Sequence, residues 1–251
     1  MQDIYRLIPK LKLDVFHSGT GTFINLNIGA RASGSLKYGM YPVVVWSLKG
    51  KPTYLMEMSF FDSAATVNFA VDNLQLAAKV EDMSRIASST APVPELCFIP
   101  AFTGLQTPES DCNAAPLLIG LTAQTSRAQI LNSILRSIAF STHQLLQTLQ
   151  REFNRTSTQL SVDGGISQCD FILQTISDLQ AVPVVRKVSS ETSAVGAAFL
   201  AGLSSGFFPS LAELKKMNPS QEVIQTAPDP ETRKAFRLWL QASKRSRNWF
   251  T

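Results

Sequence analysis

Glycine recurs at two places in this chain where a backbone could come close to a ligand. The first is Ser18-Gly19-Thr20-Gly21-Thr22, between two short runs that read as strands. Glycine reaches dihedrals that other residues resist, so the N–H groups of such a turn can converge on phosphate oxygens, with threonine hydroxyls as further donors. No Gly-Lys-Ser/Thr follows, so it is not a Walker loop. Ile24 stands where the third glycine of a dinucleotide fingerprint would be. Taken alone, the same residues are more simply an ordinary hairpin turn. The second place is Asp163-Gly164-Gly165, delivered by the apolar run 160–162 and followed by a helical pattern with Phe171, Ile172, Ile176 and Leu179 inward. Open α/β sheets bind ligands at strand-to-helix junctions, and paired glycines let a base or ribose lie on the main chain. A tight connection uses glycine too. A third candidate is the start of a helix expected over 63–77, capped by Asp62 or Ser63. Ser63, Ala64 and Ala65 are small, and Asn68 lies one turn beyond Ala64, leaving room for a nucleotide or for close helix packing.

Other reactive residue types lack companions. His17 stands beside the first turn with no acid fixed against it by spacing, and His143 falls mid-helix among apolar neighbours. Neither a Ser–His–Asp order nor a Gly-x-Ser-x-Gly elbow is present. Cys97, Cys112 and Cys169 show no CxxC spacing and cannot form a disulfide framework, which points to a reducing compartment and away from a structural zinc site.

Around these candidates the chain alternates in a readable way. Runs 12–16 and 23–27 predict a hairpin, as do 42–48 and 53–59 across Lys49-Gly50-Lys51-Pro52. Residues 84–95 have loop composition. Short strands are expected at 96–100 and 117–121. A long helix is expected from Ser126 to about 150, with Ile130, Ile134, Leu135, Ile138, Leu145, Leu146 and Leu149 as its apolar stripe. Strand 160–162, helix 168–180, strand 182–186 and helix 190–206 complete a mixed α/β pattern.

At 251 residues the chain suits one large domain or two small ones, and 45% apolar against 17% charged residues excludes a disordered chain. No run is apolar enough to span a membrane, and no secretory signal is expected at the start. The net charge of +4 lies wholly in residues 229–251, which hold six basic and two acidic residues. Ala235, Phe236, Leu238, Trp239 and Ala242 recur there at helical spacing. That favours a basic amphipathic helix packed on the domain over a nucleic-acid surface.

Taken in order, five segments resemble one family. They are Gly19-Thr20-Gly21-Thr22-Phe23, Phe98-Ile99-Pro100-Ala101-Phe102-Thr103-Gly104-Leu105, Arg136-Ser137-Ile138-Ala139-Phe140, Val162-Asp163-Gly164-Gly165 and Thr192-Ser193-Ala194-Val195-Gly196-Ala197-Ala198-Phe199-Leu200-Ala201-Gly202. Their succession resembles the C-terminal domain of the FGGY carbohydrate kinases, glycerol kinases above all, over about residues 14–249. The resemblance implies an actin-like, ribonuclease H-like domain at 14–228, a divergent segment at 1–13 and the terminal helix at 229–251. It implies ATP with Mg²⁺ as cofactors, a polyol such as glycerol as substrate, and a cytoplasmic location. Carried over by motif, Thr20 would meet the phosphates between Gly19 and Gly21, and Gly165 with Gly164 would lie against adenosine. Ala64 stands where the family has glycine, Asn68 where it has glutamine and Cys169 where glycerol kinases have asparagine. The family's catalytic aspartate, in an Asp-Gln-Gln segment, has no match in residues 1–13, so no catalytic residue is assigned. The expectation is therefore the nucleotide-binding half of a kinase, little active alone and prone to self-association. A non-enzymatic nucleotide-binding or interaction module of the same fold is the alternative.

Overall fold

The computed structural model describes residues 14–18, 21–32, 37–187, 192–217 and 220–250. Two hairpins open the domain: β1 (Asp14–Ser18) with β2 (Thr22–Gly29), and β3 (Tyr41–Leu48) with β4 (Lys51–Phe60). The second closes through Lys49 and Gly50 alone, both at positive φ, the two-residue turn whose twist matches that of the strands. Lys51 and Pro52, expected in the turn, belong to β4. β7 (Leu160–Gly164), β8 (Val184–Lys187) and β9 (Ser220–Ile224) complete a sheet in the order β3-β4-β2-β1-β7-β8-β9. Its first half is antiparallel; β1, β7 and β8 run parallel; β9 returns antiparallel.

Helices follow the sequence periodicity with instructive exceptions. The helix expected over 63–77 is cut to α1 (Ser63–Asn68), continued by a wider π turn at Phe69–Asn73. The loop expected over 84–95 is overturned in its first part. Residues 84–88 belong to α2 (Val80–Ser88), which buries Met83 and Ala87 four residues apart on one face. α3 (Arg127–Phe153) starts at a reciprocal cap in which Gln129 N donates to Ser126 Oγ at 3.2 Å and Ser126 N to Gln129 Oε1 at 2.9 Å. It stops at Asn154 in the left-handed region. The strands expected at 96–100 and 117–121 are β5 (Cys97–Ile99) and β6 (Leu117–Ile119), which pair with each other in a separate small sheet.

α4 (Asp170–Gln180) and α5 (Thr192–Ser205) agree with expectation, whereas α6 (Leu211–Met217) and β9 were not foreseen. The terminal helix is α7 (Pro230–Ser243). The Asp229 carboxylate accepts from Glu231 N at 3.1 Å and Thr232 N at 3.0 Å, and Pro230 occupies the first turn, where its missing N–H costs nothing. Ala235, Phe236, Trp239 and Ala242 face inward while Arg233, Lys234 and Arg237 face solvent. Trp239 Nε1 donates to the Phe98 carbonyl at 2.8 Å, which ties α7 to β5. One core cluster lies between the sheet and α3, with Ile24, Met58, Leu131, Ile138, Leu160 and Ile172 in it. A second joins Phe140, Phe236 and Trp239 to the small sheet.

Candidate functional site

Strand register decides which candidates meet. Ser18 pairs with Thr22 across β1 and β2, Thr22 with Phe60 across β2 and β4, and Ser18 with Gly164 across β1 and β7. Four strands therefore end in a row, Phe60–Thr22–Ser18–Gly164. From that row the chain enters α1 after Phe60 and α4 after Gly164, and Gly21 lies next to Thr22. Gly21, Ala64, Gly164 and Gly165 are brought to this one end of the sheet. Gly19 and Thr20 lie outside the described residues, as does the segment 1–13.

The glycines serve different physical needs. A Cβ on Gly21 would lie 3.3 Å from the Phe60 carbonyl oxygen, from Phe61 Cα and from the Phe23 ring, so Gly21 is seated directly on the end of β4. Gly164 sits at φ 82°, ψ −177°, a region essentially reserved for glycine. That kink swings the chain into the short 3₁₀ turn Gly165–Gln168 ahead of α4. Gly165 is exposed, and a Cβ there would meet nothing within 4 Å. Its missing side chain keeps open a strip of backbone at the strand end.

Ala64 is half-buried in the first turn of α1, and Asn68 is exposed at its end. Cys169 is half-buried just before α4. Burial raises its thiol pKa above the ordinary value, with hydrogen bonds from Ile172 N, Ser84 and Phe171 N opposing, so the sulfur stays a neutral thiol and no nucleophile. Ser84 on α2 also accepts from Phe171 N at 3.1 Å, which fixes the start of α4 against that helix.

Two expectations change. Asp62 does not cap α1 with its side chain. It is 2% exposed and turns to the loop after β5, accepting from Thr103 N at 3.1 Å and Thr103 Oγ1 at 3.0 Å. Burial raises its pKa, and the Thr103 bonds oppose the rise. Position 17 is not without an acid nearby, since the register sets it beside Asp163 on β7. His143, by contrast, is the buried polar residue expected. Its Nδ1 lies 2.8 Å from Gln180 Nε2, its ring meets Phe236 edge-on at 4.7 Å, and burial with the Arg233 charge pushes its pKa down to about 4. Thr103 lies in the segment 98–105 singled out by its residues, but its bond to Asp62, 41 positions away, is not legible there.

A cavity of about 30 Å³ lies behind the strand ends, lined by Phe60, Gln106, Glu109, Ser141, Gln144 and Trp239, and suits a water molecule. Among the described residues no three His, Cys, Asp or Glu side chains gather as a metal cluster, and no helix is long and apolar enough to cross a membrane.

Known proteins share this arrangement. A sequence model of the FGGY family of carbohydrate kinases, C-terminal domain, matches residues 15–205. The chain is similar to a glycerol kinase of Pseudothermotoga lettingae, 36% identical over 233 residues, covering 92% of this chain and 46% of that protein. It is similar to glycerol kinase 5 of Danio rerio, 33% identical over 239 residues, covering 92% and 45%. The chain spans about half the length of the curated relatives it matches. Among solved structures, Plasmodium falciparum glycerol kinase with ADP aligns at TM-score 0.84 and 25% identity over 95% of this chain and 49% of that one. A xylulose kinase from Lactobacillus acidophilus aligns at TM-score 0.76 and 20% identity over 93% and 47%, which shows a shared fold. The mixed sheet is thus the actin-like, ribonuclease H-like domain of these kinases.

Proposed function

The chain belongs to the FGGY family of carbohydrate kinases, and from that premise we propose that its glycine-rich sheet end binds ATP as half of a polyol kinase cleft. The observation that carries the reading is the register that sets Ser18 between Thr22 and Gly164, with Gly165 open to solvent beyond them. In this reading the turn at Gly19, Thr20 and Gly21 offers N–H groups and a hydroxyl to the phosphates. The Gly164–Gly165 backbone makes a flat bed for adenosine. Ala64, Asn68 and Cys169 border the nucleotide and adjust its affinity.

Bound ATP supplies the phosphoryl group, and Mg²⁺ neutralises charge on its phosphates. The ion would be held by the ATP phosphates and water, as is usual for Mg²⁺ at phosphoryl-transfer sites. Glycerol is the polyol we propose, in keeping with relatives named as glycerol kinases. This chain contributes no assigned general base, and a missing base typically lowers the rate on the order of 10²–10⁴-fold. We therefore expect this chain to bind Mg-ATP weakly and to form little glycerol phosphate by itself. Three free cysteines agree with a reducing, cytoplasmic setting.

Calorimetry with Mg-ATP tests the reading. Binding heat that Thr20→Val diminishes is the expected result, and the absence of heat from the unaltered chain would favour the non-enzymatic interaction module. Labelled ATP incubated with glycerol and this chain checks the second half; clear formation of glycerol phosphate would overturn it. Trp249 and Phe250 are 70% and 57% exposed near the C-terminus, and we expect self-association through such apolar surface. A monomeric mass by light scattering would contradict that.

A further inference from the structure

Asp62, Thr103 and Gln106 close a hydrogen-bonded ring beneath the first glycine turn. Phe61 N donates to Gln106 Oε1 at 2.7 Å. Gln106 Nε2 donates to Thr103 Oγ1 at 2.8 Å, and that hydroxyl donates to Asp62 Oδ1 at 3.0 Å. Thr103 N donates to Asp62 Oδ2 at 3.1 Å. Asp62 follows Phe61 in the chain, so the ring returns to its start.

Both sides of the ring are anchored. The Asp62 carbonyl accepts from Thr66 N at 2.8 Å and Thr66 Oγ1 at 2.6 Å, which starts α1. On the other side, Leu105 and Asp111 exchange backbone bonds at 2.8 and 2.7 Å. Gly104, at φ 86°, passes so close to Asp111 that a Cβ would lie 2.6 Å from its carbonyl oxygen. The loop that holds Asp62 is therefore stiff.

A buried carboxylate is an expensive way to fill space, since an apolar group of similar size would avoid the desolvation cost. Here it is one of the few groups that can accept two donors from a single threonine and so fix direction. What it fixes is the exit of β4. The Phe60 carbonyl and Phe61 Cα, held by the ring, are the atoms on which Gly21 is seated.

We infer that Asp62, Thr103 and Gln106 are positioning residues that set the Phe60–Phe61 backbone and, through it, hold Gly21 where its backbone can meet the phosphates of a nucleotide. The inference rests on the proposed reading of that turn as a phosphate site. It separates two halves of one ligand: the ring bears on the phosphate end, whereas adenosine lies on Gly164 and Gly165, which the ring does not touch.

Calorimetric titration of the full 251-residue chain with Mg-ATP and separately with adenosine tests it. Asp62→Ala and Thr103→Val should each weaken ATP binding about tenfold, a change of about 1.4 kcal/mol, and leave adenosine binding unchanged. Asp62→Asn should recover ATP binding to within about threefold, because its amide oxygen still accepts from Thr103 N and its NH₂ can donate to Thr103 Oγ1. Gln106 is half-buried, so Gln106→Ala keeps the fold if Asp62→Ala does not, and should cost ATP binding about threefold. If ATP and adenosine weaken together, or Asp62→Asn fails like Asp62→Ala, the ring merely supports the fold and the inference is overturned. If the unaltered chain binds ATP and both Asp62→Ala and Gln106→Ala bind it as well, the inference fails while the nucleotide site stands. If the unaltered chain binds neither ligand, the proposed function fails and takes this inference with it.

Discussion

Where α3, α4 and α7 meet, side chains fill the space; at the strand end beside Gly164, the missing side chain of Gly165 leaves it open. In the helical seam, Phe140, Phe236 and Trp239 stack and cross at 5.5–6.2 Å, and His143 and Gln180 satisfy each other inside it. At the strand ends, register and backbone angle do the positioning, and the exposed strip at Gly165 touches nothing. The contrast teaches that one domain can hold rigid shape by two means. Interlocked volume makes a place that excludes ligands, and hydrogen-bonded backbone makes a place that can receive one.

Truncating the seam should cost most. Trp239→Ala removes a side chain 3% exposed and its bond to Phe98, and should lower unfolding free energy by about 3–5 kcal/mol in urea titration. A loss below about 1 kcal/mol would mean that the seam is not packed as described. Acid should find the same seam. The His143 pKa is about 4 in the folded protein against an ordinary 6.5, so between those values the unfolded chain binds a proton that the folded one refuses. Stability is therefore full above about pH 6.5 and falls by about 1.4 kcal/mol per pH unit as pH drops toward 4, and His143→Gln should remove this slope. A slope unchanged by the substitution would assign the acid sensitivity elsewhere.

Gly164→Ala probes the other means. A residue forced to φ 82°, ψ −177° should cost about 1–3 kcal/mol with no cavity formed. An unfolding midpoint like that of the unaltered chain would show that this backbone can relax. The smallest stability effect is expected at Gly165→Val, within about 0.5 kcal/mol, since its side chain would enter open space. The same change should weaken Mg-ATP binding about tenfold if adenosine lies there, so stability and affinity part company at this residue.

The two regions also differed in how legible they were. The stripes of α3 and α7 were readable because periodicity, caps and burial all agree on them. α2 was hidden because Ser84, Ser88, Ser89 and Thr90 give its end the composition of a loop, while its packing depends on Met83 and Ala87. α1 was overestimated because nothing in Phe69–Asn73 announces the wider turn. At the strand ends, the glycines could be seen but not their reasons, since left-handed φ at Gly164 and close seating at Gly21 are properties of the assembled sheet. The order of motifs, rather than any one spacing, pointed to the family. Asp62 read as a helix cap because its true partner comes from another part of the chain.

Parallel pairing of β1 with β7 joins Ser18 to Gly164. Each hairpin can zip from its own turn as soon as its residues exist, but the pairing of β1 with β7 must wait for residues 160–164, and contacts this far apart in sequence form slowly. During synthesis the N-terminal strands therefore spend their longest interval with one margin unclaimed, which is when a nascent chain is most open to the wrong neighbour. The seam between β1 and β7 is expected to close after the two hairpins, and variants that delay it should lower yield before they lower the stability of what has folded.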